Sequence, residues 1–172
     1  MKSYIATLFF LGKLIVLTNG GPVYDMTDNF TLSVEQFKCL KYQYEVFIPR
    51  VYTSDGEFDE IGWQNMLNAQ SVVVIVDALI VPCVNEKQSC KNGLISGADQ
   101  ANAVLNRIVK ESATHFFYIE IQRNHWPSNK TANQAFILDM INTIKNDVII
   151  PEPSRNFIKI ERSSSERLKG GV

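Results

Sequence analysis

Three carboxylates lie within, or at the end of, predicted β-strands. They are Asp25 after Val23 and Tyr24, Asp77 within the apolar run 72–81, and Glu120 within the run 115–126. In parallel α/β folds the carboxyl ends of the strands meet on the functional face, so these acids are candidates for one site. Carboxyl groups gathered there suit glycoside hydrolysis, because one protonates the leaving oxygen and another supports positive charge at the sugar. The alternative is that the acids share no site, and that helix capping or ordinary surface exposure accounts for each of them separately.

Glu120 is the first candidate for the acid because it stands inside a strand that is otherwise largely apolar. Alternation along the strand defines two faces, one with Phe116, Tyr118, Glu120 and Gln122, the other with Phe117, Ile119 and Ile121. A carboxylate on such a strand is costly to bury unless it is paired, protonated or used in chemistry. A glutamate that reaches solvent at the strand end is the simpler interpretation.

Aromatic residues near these acids suit contact with a carbohydrate. Phe116, Tyr118 and Trp126 flank Glu120 in the sequence and would shield it from water. Pockets for organic ligands are commonly lined by aromatic side chains together with a few polar groups. The predicted catalytic residues are therefore Glu120, Asp25 and Asp77, and the predicted substrate-binding residues are Tyr118, Trp126 and Tyr52.

Motifs for other chemistries are absent from the sequence. It contains no G-x-S-x-G, no H-E-x-x-H, no phosphate-binding glycine loop and no G-x-G-x-x-G. The two histidines, His115 and His125, lie at the ends of one segment, so we predict no metal site and no cofactor. The acidic residues of 55–60 are interpreted as the start of a helix capped by Asp59. A net charge of −1 without a basic block argues against a nucleic-acid partner.

Residues 1–20 have the pattern of a secretory signal peptide. A short positive start precedes an apolar run, and small residues follow before Gly20. A membrane anchor is the alternative, although the run is shorter than the ~20 residues that a span requires. We therefore predict a secreted, extracellular protein with no membrane association after signal removal.

The sequons and the cysteines agree with secretion. Asn29 and Asn129 begin N-F-T and N-K-T triplets and are predicted glycosylation sites. In an oxidising compartment Cys83 and Cys90 can close a small disulfide loop. Cys39 is then a buried free thiol, an intermolecular partner, or a half-cystine whose mate is missing.

The order of the predicted elements indicates a parallel sheet with crossover helices. Predicted strands at 23–25, 45–52, 72–81 and 116–122 alternate with predicted helices at 34–42, 60–69, 96–111 and 131–145. A doubly wound sheet and a (β/α) barrel both fit this order. A barrel must be partial, with about four βα units, because eight units need at least ~200 residues. Pro49 favours a bulge or a strand end. A fifth strand at 148–150 would be the last element of the domain 21–150, and residues 151–172 are predicted to form an irregular tail with a short β-like run at 157–160.

Several short motifs, taken in order, resemble those of the nematode and amoebal lysozymes of glycoside hydrolase family 25. The resemblance covers residues 23–146 and rests on VYD at 23–25, QFKCL at 36–40, IPRVY at 48–52, VDALIVPC at 76–83, YIE at 118–120, W-x-S-N at 126–129 and NQAF at 133–136. It implies a modified β/α barrel. It also implies a secreted enzyme that cleaves the β-1,4 bond between N-acetylmuramic acid and N-acetylglucosamine in bacterial peptidoglycan, with a role in antibacterial defence. The implied partner is the bacterial cell-wall glycan.

The resemblance also assigns roles to individual residues, and the sequence departs from the family pattern at one of them. Glu120 corresponds to the glutamate of an Asp-x-Glu motif, Asp25 to a first-strand Asp and Asp77 to a third-strand acid. Tyr118 stands where the motif has Asp, and a phenol with a pKa near ~10 does not replace an anion at pH 7. The chain also ends after about half of the barrel. The alternatives to a hydrolase are thus a catalytically impaired, glycan-binding homologue and a truncated product without its own activity.

Overall fold

The structure is a computed structural model that describes residues 8–10, 13–15, 22–27, 29–72, 75–84, 90–111, 114, 116–122, 126–147 and 158–163. The strands are β1 (Leu8–Phe10), β2 (Lys13–Ile15), β3 (Val23–Met26), β4 (Val46–Tyr52), β5 (Ile75–Val76), β6 (Ala78–Ile80), β7 (Phe117–Gln122) and β8 (Ile158–Ser163). The helices are α1 (Val34–Leu40), α2 (Glu60–Gln70), α3 (Gly97–Glu111) and α4 (Lys130–Asp147).

Strands β3 to β8 form one parallel sheet in the order β3-β4-β6-β7-β8, with β5 also paired to β4. β1 and β2 form a separate antiparallel pair. The main core joins residues from all four helices to the same side of the sheet, whereas a doubly wound sheet has helices on both faces. The sheet curls into a half-barrel, so the predicted partial (β/α) barrel is confirmed.

The starts of two helices are fixed by side chains. Ser33 and Gln36 form a reciprocal capping box at α1, in which each side chain accepts a main-chain N–H of the other residue. Asp59 caps α2, since its Oδ1 accepts the Gly62 N–H at 3.0 Å while its Oδ2 pairs with Arg50 at 2.7 Å. The interpretation of Asp59 as a helix cap is therefore confirmed.

The two faces of the sheet differ in their packing. The face that packs against the helices, here called the helix face, contributes Phe47, Val76 and Ile119 to the main core. The opposite face, here called the inner face, carries a smaller apolar cluster of Ile48, Leu79 and Val81, against which Val23, Val46 and Tyr118 pack. A ligand on the sheet would meet the inner face, because the helices occupy the other one.

The central strands are less regular than the sequence predicts. The predicted strand 72–81 is divided at Asp77 into β5 and β6. Pro49 lies within β4, and the register with β6 shifts a little further on, between Arg50 and Tyr52. The register shift lies close to the bulge predicted near Pro49, whereas the alternative of a strand end does not occur, because β4 continues to Tyr52.

Strands also lie near both ends of the chain, and one of them overlaps the predicted β-like run at 157–160. β8 lies inside the segment 151–172, predicted as an irregular tail, and pairs with β7 along its whole length. The predicted strand at 148–150 lies outside the described residues. The β1–β2 pair lies within residues 1–20, whose role as a signal peptide stays a prediction. Among the described helices, none is long and apolar enough to cross a membrane.

Candidate functional site on the inner face

The three predicted catalytic acids all lie at inner-face positions of the sheet, Asp25 in β3, Asp77 between β5 and β6, and Glu120 in β7, but not at one level. Asp25 pairs in register with Ile48, and the pairing of Phe47 with Val76 places Ile48 beside Asp77. Asp25 and Asp77 therefore flank Ile48 at the same level of the sheet. Two strand spacings separate them, which is about 10 Å.

Glu120 lies well beyond that level toward the carboxyl end of the sheet. Ala78 pairs with Phe117, so Asp77 stands beside Phe116, four residues before Glu120. At 3.3 Å per residue the offset along the strands is about 13 Å. Paired carboxyl groups of glycosidases stand about 5 to 9.5 Å apart. The arrangement thus does not place Asp77 and Glu120 on the two sides of one glycosidic bond.

Asp77 is buried, with 2% of its surface exposed, and is tied to β7. Its Oδ1 accepts the main-chain N–H of Phe116 at 3.1 Å, and the hydroxyl of Tyr118 hydrogen-bonds to the same carboxyl group. Burial raises the pKa of Asp77 to about 7, although both hydrogen bonds act in the opposite direction. Asp77 is therefore a carboxyl group that titrates near neutral pH within the sheet.

Glu120 and Asp25 have more open surroundings. Glu120 is half-buried near the end of β7, and the Asp25 side chain is exposed. Tyr118 lies on the same face as Glu120, but its hydroxyl is bonded to Asp77 beside residue 116. Because Glu120 lies two residues after Tyr118, the phenol points away from Glu120. Glu120 is thus the predicted acid with the best access to the carboxyl end of the inner face.

Tyr52 is placed differently from the prediction. It is completely buried in the helix-face core, where its hydroxyl accepts a hydrogen bond from Asn92 Nδ2 at 2.7 Å and its ring packs edge-on against Phe58. Burial raises the pKa of its hydroxyl. The register shift between Arg50 and Tyr52 turns this residue to the helix face, whereas regular alternation from Ile48 would place it on the inner face. Tyr52 does not line the candidate site.

Trp126 lies beyond the end of β7, in the connection to α4. It is half-buried and packs edge-on against Phe136, with ring centroids 5.9 Å apart. This contact fixes one edge of the indole against α4. The two histidines of the same region lie outside the described residues.

The loop after β6 is held by the predicted disulfide and by a residue that sequence reasoning missed. Cys83 and Cys90 are joined. Gln100 of α3 is completely buried and makes two hydrogen bonds with the main chain of Cys83, at 2.8 and 3.0 Å, and one with the Leu94 carbonyl at 2.9 Å. The available signal was a polar residue beside Ala101 on the apolar side of an amphipathic helix.

The remaining polar sites lie at the surface. Asn29 and Asn129 are both exposed, and Asn129 Oδ1 accepts the N–H of Ala132 at the start of α4. Cys39 is an exposed free thiol, which excludes the buried-thiol alternative. Within the described part of the chain, no three His, Cys, Asp or Glu side chains are grouped closely enough to hold a metal ion.

The fold is a parallel α/β half-barrel, and its inner face carries the three acids and Tyr118. A family model described as Lysozyme-like protein 1 matches residues 22–150. The chain therefore belongs to the lysozyme-like protein family. Lysozyme-like protein 5 of Caenorhabditis elegans is 32% identical over 146 residues, which are 83% of this chain and 62% of that protein. The chain thus spans less than two thirds of the length of this relative.

Proposed function

We propose that this protein acts on bacterial peptidoglycan and hydrolyses the β-1,4 bond between N-acetylmuramic acid and N-acetylglucosamine, in antibacterial defence. This is the activity that the resemblance to glycoside hydrolase family 25 implies. The observation that carries the proposal is the position of Glu120. It is a half-buried carboxyl group near the carboxyl end of β7, on the face that the helices leave open, where parallel α/β folds place their chemistry.

The inner face suggests a division of roles among the acids. Glu120 donates a proton to the glycosidic oxygen as the C–O bond breaks, and water then completes hydrolysis at the sugar carbon. Asp25 is exposed on the same face, but it lies at the level of Asp77 and farther from Glu120 than Asp77 does, so it would contact a different part of the glycan from the bond that Glu120 protonates. Asp77 is too deeply buried to touch a sugar and acts through Tyr118. Trp126 supplies an apolar surface at the rim.

The test is the release of soluble muropeptides from purified peptidoglycan between pH 4 and pH 8. Glu120→Gln should lower the rate at least ~100-fold, the usual contribution of a general acid. Glu35→Gln is the matched control, because Glu35 is an exposed residue of α1 and pairs only locally with Lys38. A wild-type protein that releases nothing at any pH would refute hydrolysis.

A second candidate function is glycan binding without hydrolysis. The observation that favours it is Tyr118, since its hydroxyl is held at Asp77 and leaves Glu120 without a neighbouring anion from its own strand. In this case the wild type sediments with insoluble peptidoglycan but releases no fragments, and Glu120→Gln sediments equally well. A Tyr118→Asp variant that gains turnover would identify the missing carboxylate as the cause.

We also propose that the protein is secreted after cleavage at Gly20. The basis is the pattern of residues 1–20 together with the exposure of both sequon asparagines. Expression in an animal secretory system should yield a medium protein that begins at Gly21 and loses mass on treatment with an N-glycan amidase. A protein retained in the cell with an intact Met1 would contradict this.

A further inference from the structure

Two side chains replace main-chain hydrogen bonding between β5 and β7 at Asp77. In a regular parallel ladder the Phe116 N–H would donate to the Val76 carbonyl, because Ala78 N–H donates to the Phe116 carbonyl at 3.0 Å. Instead the hydroxyl of Thr114 donates to the Val76 carbonyl at 3.0 Å, and the Phe116 N–H donates to Asp77 Oδ1 at 3.1 Å. A buried titratable group is thereby part of the attachment of β7 to the sheet.

The same carboxyl group bonds the Tyr118 hydroxyl, and the direction of that bond depends on its proton. An ionised Asp77 only accepts, so the phenol must donate its O–H to it. A protonated Asp77 still accepts the Phe116 N–H at its carbonyl oxygen, and its own O–H can be donated to the phenol oxygen. The phenolic O–H is then released from Asp77 and can be donated to another acceptor on the inner face.

We propose that Asp77 is a positioning residue whose protonation decides whether the Tyr118 hydroxyl donates a hydrogen bond to a glycan on the inner face. The proposal rests on the proposed glycan binding and adds to it a specific donor and its control. The acceptor is a sugar hydroxyl or an N-acetyl carbonyl oxygen. Burial raises the pKa of Asp77 to about 7, which places the change between mildly acidic and mildly alkaline conditions.

Other titratable groups face the same region. β3 contributes Asp25 at the level of Asp77, and β7 contributes Glu120 beyond Tyr118. β4 places apolar Ile48 between Asp25 and Asp77, and its Arg50 pairs with Asp59. These groups are unchanged in variants of Asp77 and Tyr118, so a comparison of pH profiles isolates the contribution of the pair.

The experiment measures the affinity for chitotetraose, a soluble β-1,4-linked N-acetylglucosamine tetramer, by titration calorimetry from pH 5 to pH 9. Wild-type affinity should fall about tenfold as pH rises through 7, the effect of one hydrogen bond. Tyr118→Phe should bind about tenfold more weakly than wild type at pH 5 and lack this fall. Asp77→Asn should keep the acid-form affinity at every pH, because its amide donates to the phenol oxygen while its Oδ1 accepts the Phe116 N–H.

The possible results separate this inference from the proposed function. A Tyr118→Phe profile parallel to the wild type, or an Asp77→Asn protein that still titrates near pH 7, would overturn the inference alone. A wild type without affinity at any pH would overturn inner-face glycan binding together with it. If Asp77→Asn does not fold by circular dichroism, the comparison of wild type with Tyr118→Phe decides the matter.

Discussion

Replacement of Asp77 by asparagine should remove a pH dependence of stability that its buried carboxyl group creates. Burial raises the pKa of this group from 3.8 to about 7 in the folded chain. Between these pH values the folded protein holds a proton that the unfolded chain has released, so stability falls as pH rises. The contribution is complete below pH 3.8 and is lost once the pH exceeds about 7. At about 1.4 kcal/mol per pKa unit, the total loss is about 4 kcal/mol.

The assay is urea unfolding of the wild type and Asp77→Asn at intervals from pH 5 to pH 8. The difference between their free energies of unfolding is the informative quantity, because other titrating groups contribute equally to both. The wild type should lose about 3 kcal/mol relative to the variant over this range. Glu35→Gln is the matched control, since Glu35 is exposed and pairs with the neighbouring Lys38, and its variant should follow the wild type. Parallel curves for the wild type and Asp77→Asn would refute the reasoning.

Three further predictions concern the scaffold around the inner face. Serine at both Cys83 and Cys90 opens a loop with a sequence separation of 7 residues and should lower the free energy of unfolding by about 2.5 kcal/mol; reduced wild type should match this variant in urea unfolding. Asn65→Ala leaves two main-chain groups of the β3–α1 loop without their partners and should cost about 2 to 4 kcal/mol in the same assay. Gly62→Ala would press a Cβ against the Arg50 carbonyl oxygen, so the melting temperature by calorimetry should fall by the equivalent of about 4 kcal/mol or more; an unchanged value would show that α2 can move away from β4.

The order of the elements was predictable because each helix and strand has its own local signal. Ser33 and Asp59 mark helix starts by capping chemistry, and α3 has a clear apolar stripe. Alternation in β7 correctly separates Ile119, in the helix-face core, from Tyr118 on the inner face. These signals act over a few residues, so no distant contact is needed to interpret them. β8 shows a local signal only as the short β-like run at 157–160, and its place in the sheet depends on pairing with β7.

Side-chain direction after an irregularity was not predictable from alternation. Between Arg50 and Tyr52 the register with β6 shifts, and both Val51 and Tyr52 enter the helix-face core. The local sequence shows only that Pro49 disturbs the strand, not at which residue the shift occurs. The position of the shift is decided by pairing with β6, nearly 30 residues later in the chain. For this reason Tyr52 was expected on the inner face as a substrate contact, whereas it lies in the helix-face core.

The depth of Asp77 in the sheet has the larger consequence for function. The sequence suggests an acid at a strand end, but β6 continues to Ile80 after it, and Val81 N–H still bonds the Tyr52 carbonyl at 2.9 Å. The carboxyl end of this strand is therefore about four residues beyond Asp77, at the level where Glu120 lies on β7. An acid at that depth is hydrogen-bonded to Phe116 and Tyr118 of the neighbouring chain segment and is shielded from solvent. It follows that Asp77 influences a ligand only through the group to which it bonds, whereas Glu120 can contact the ligand directly. Variants of the two residues should therefore change different properties: Asp77→Asn should change the pH dependence, and Glu120→Gln should change the turnover.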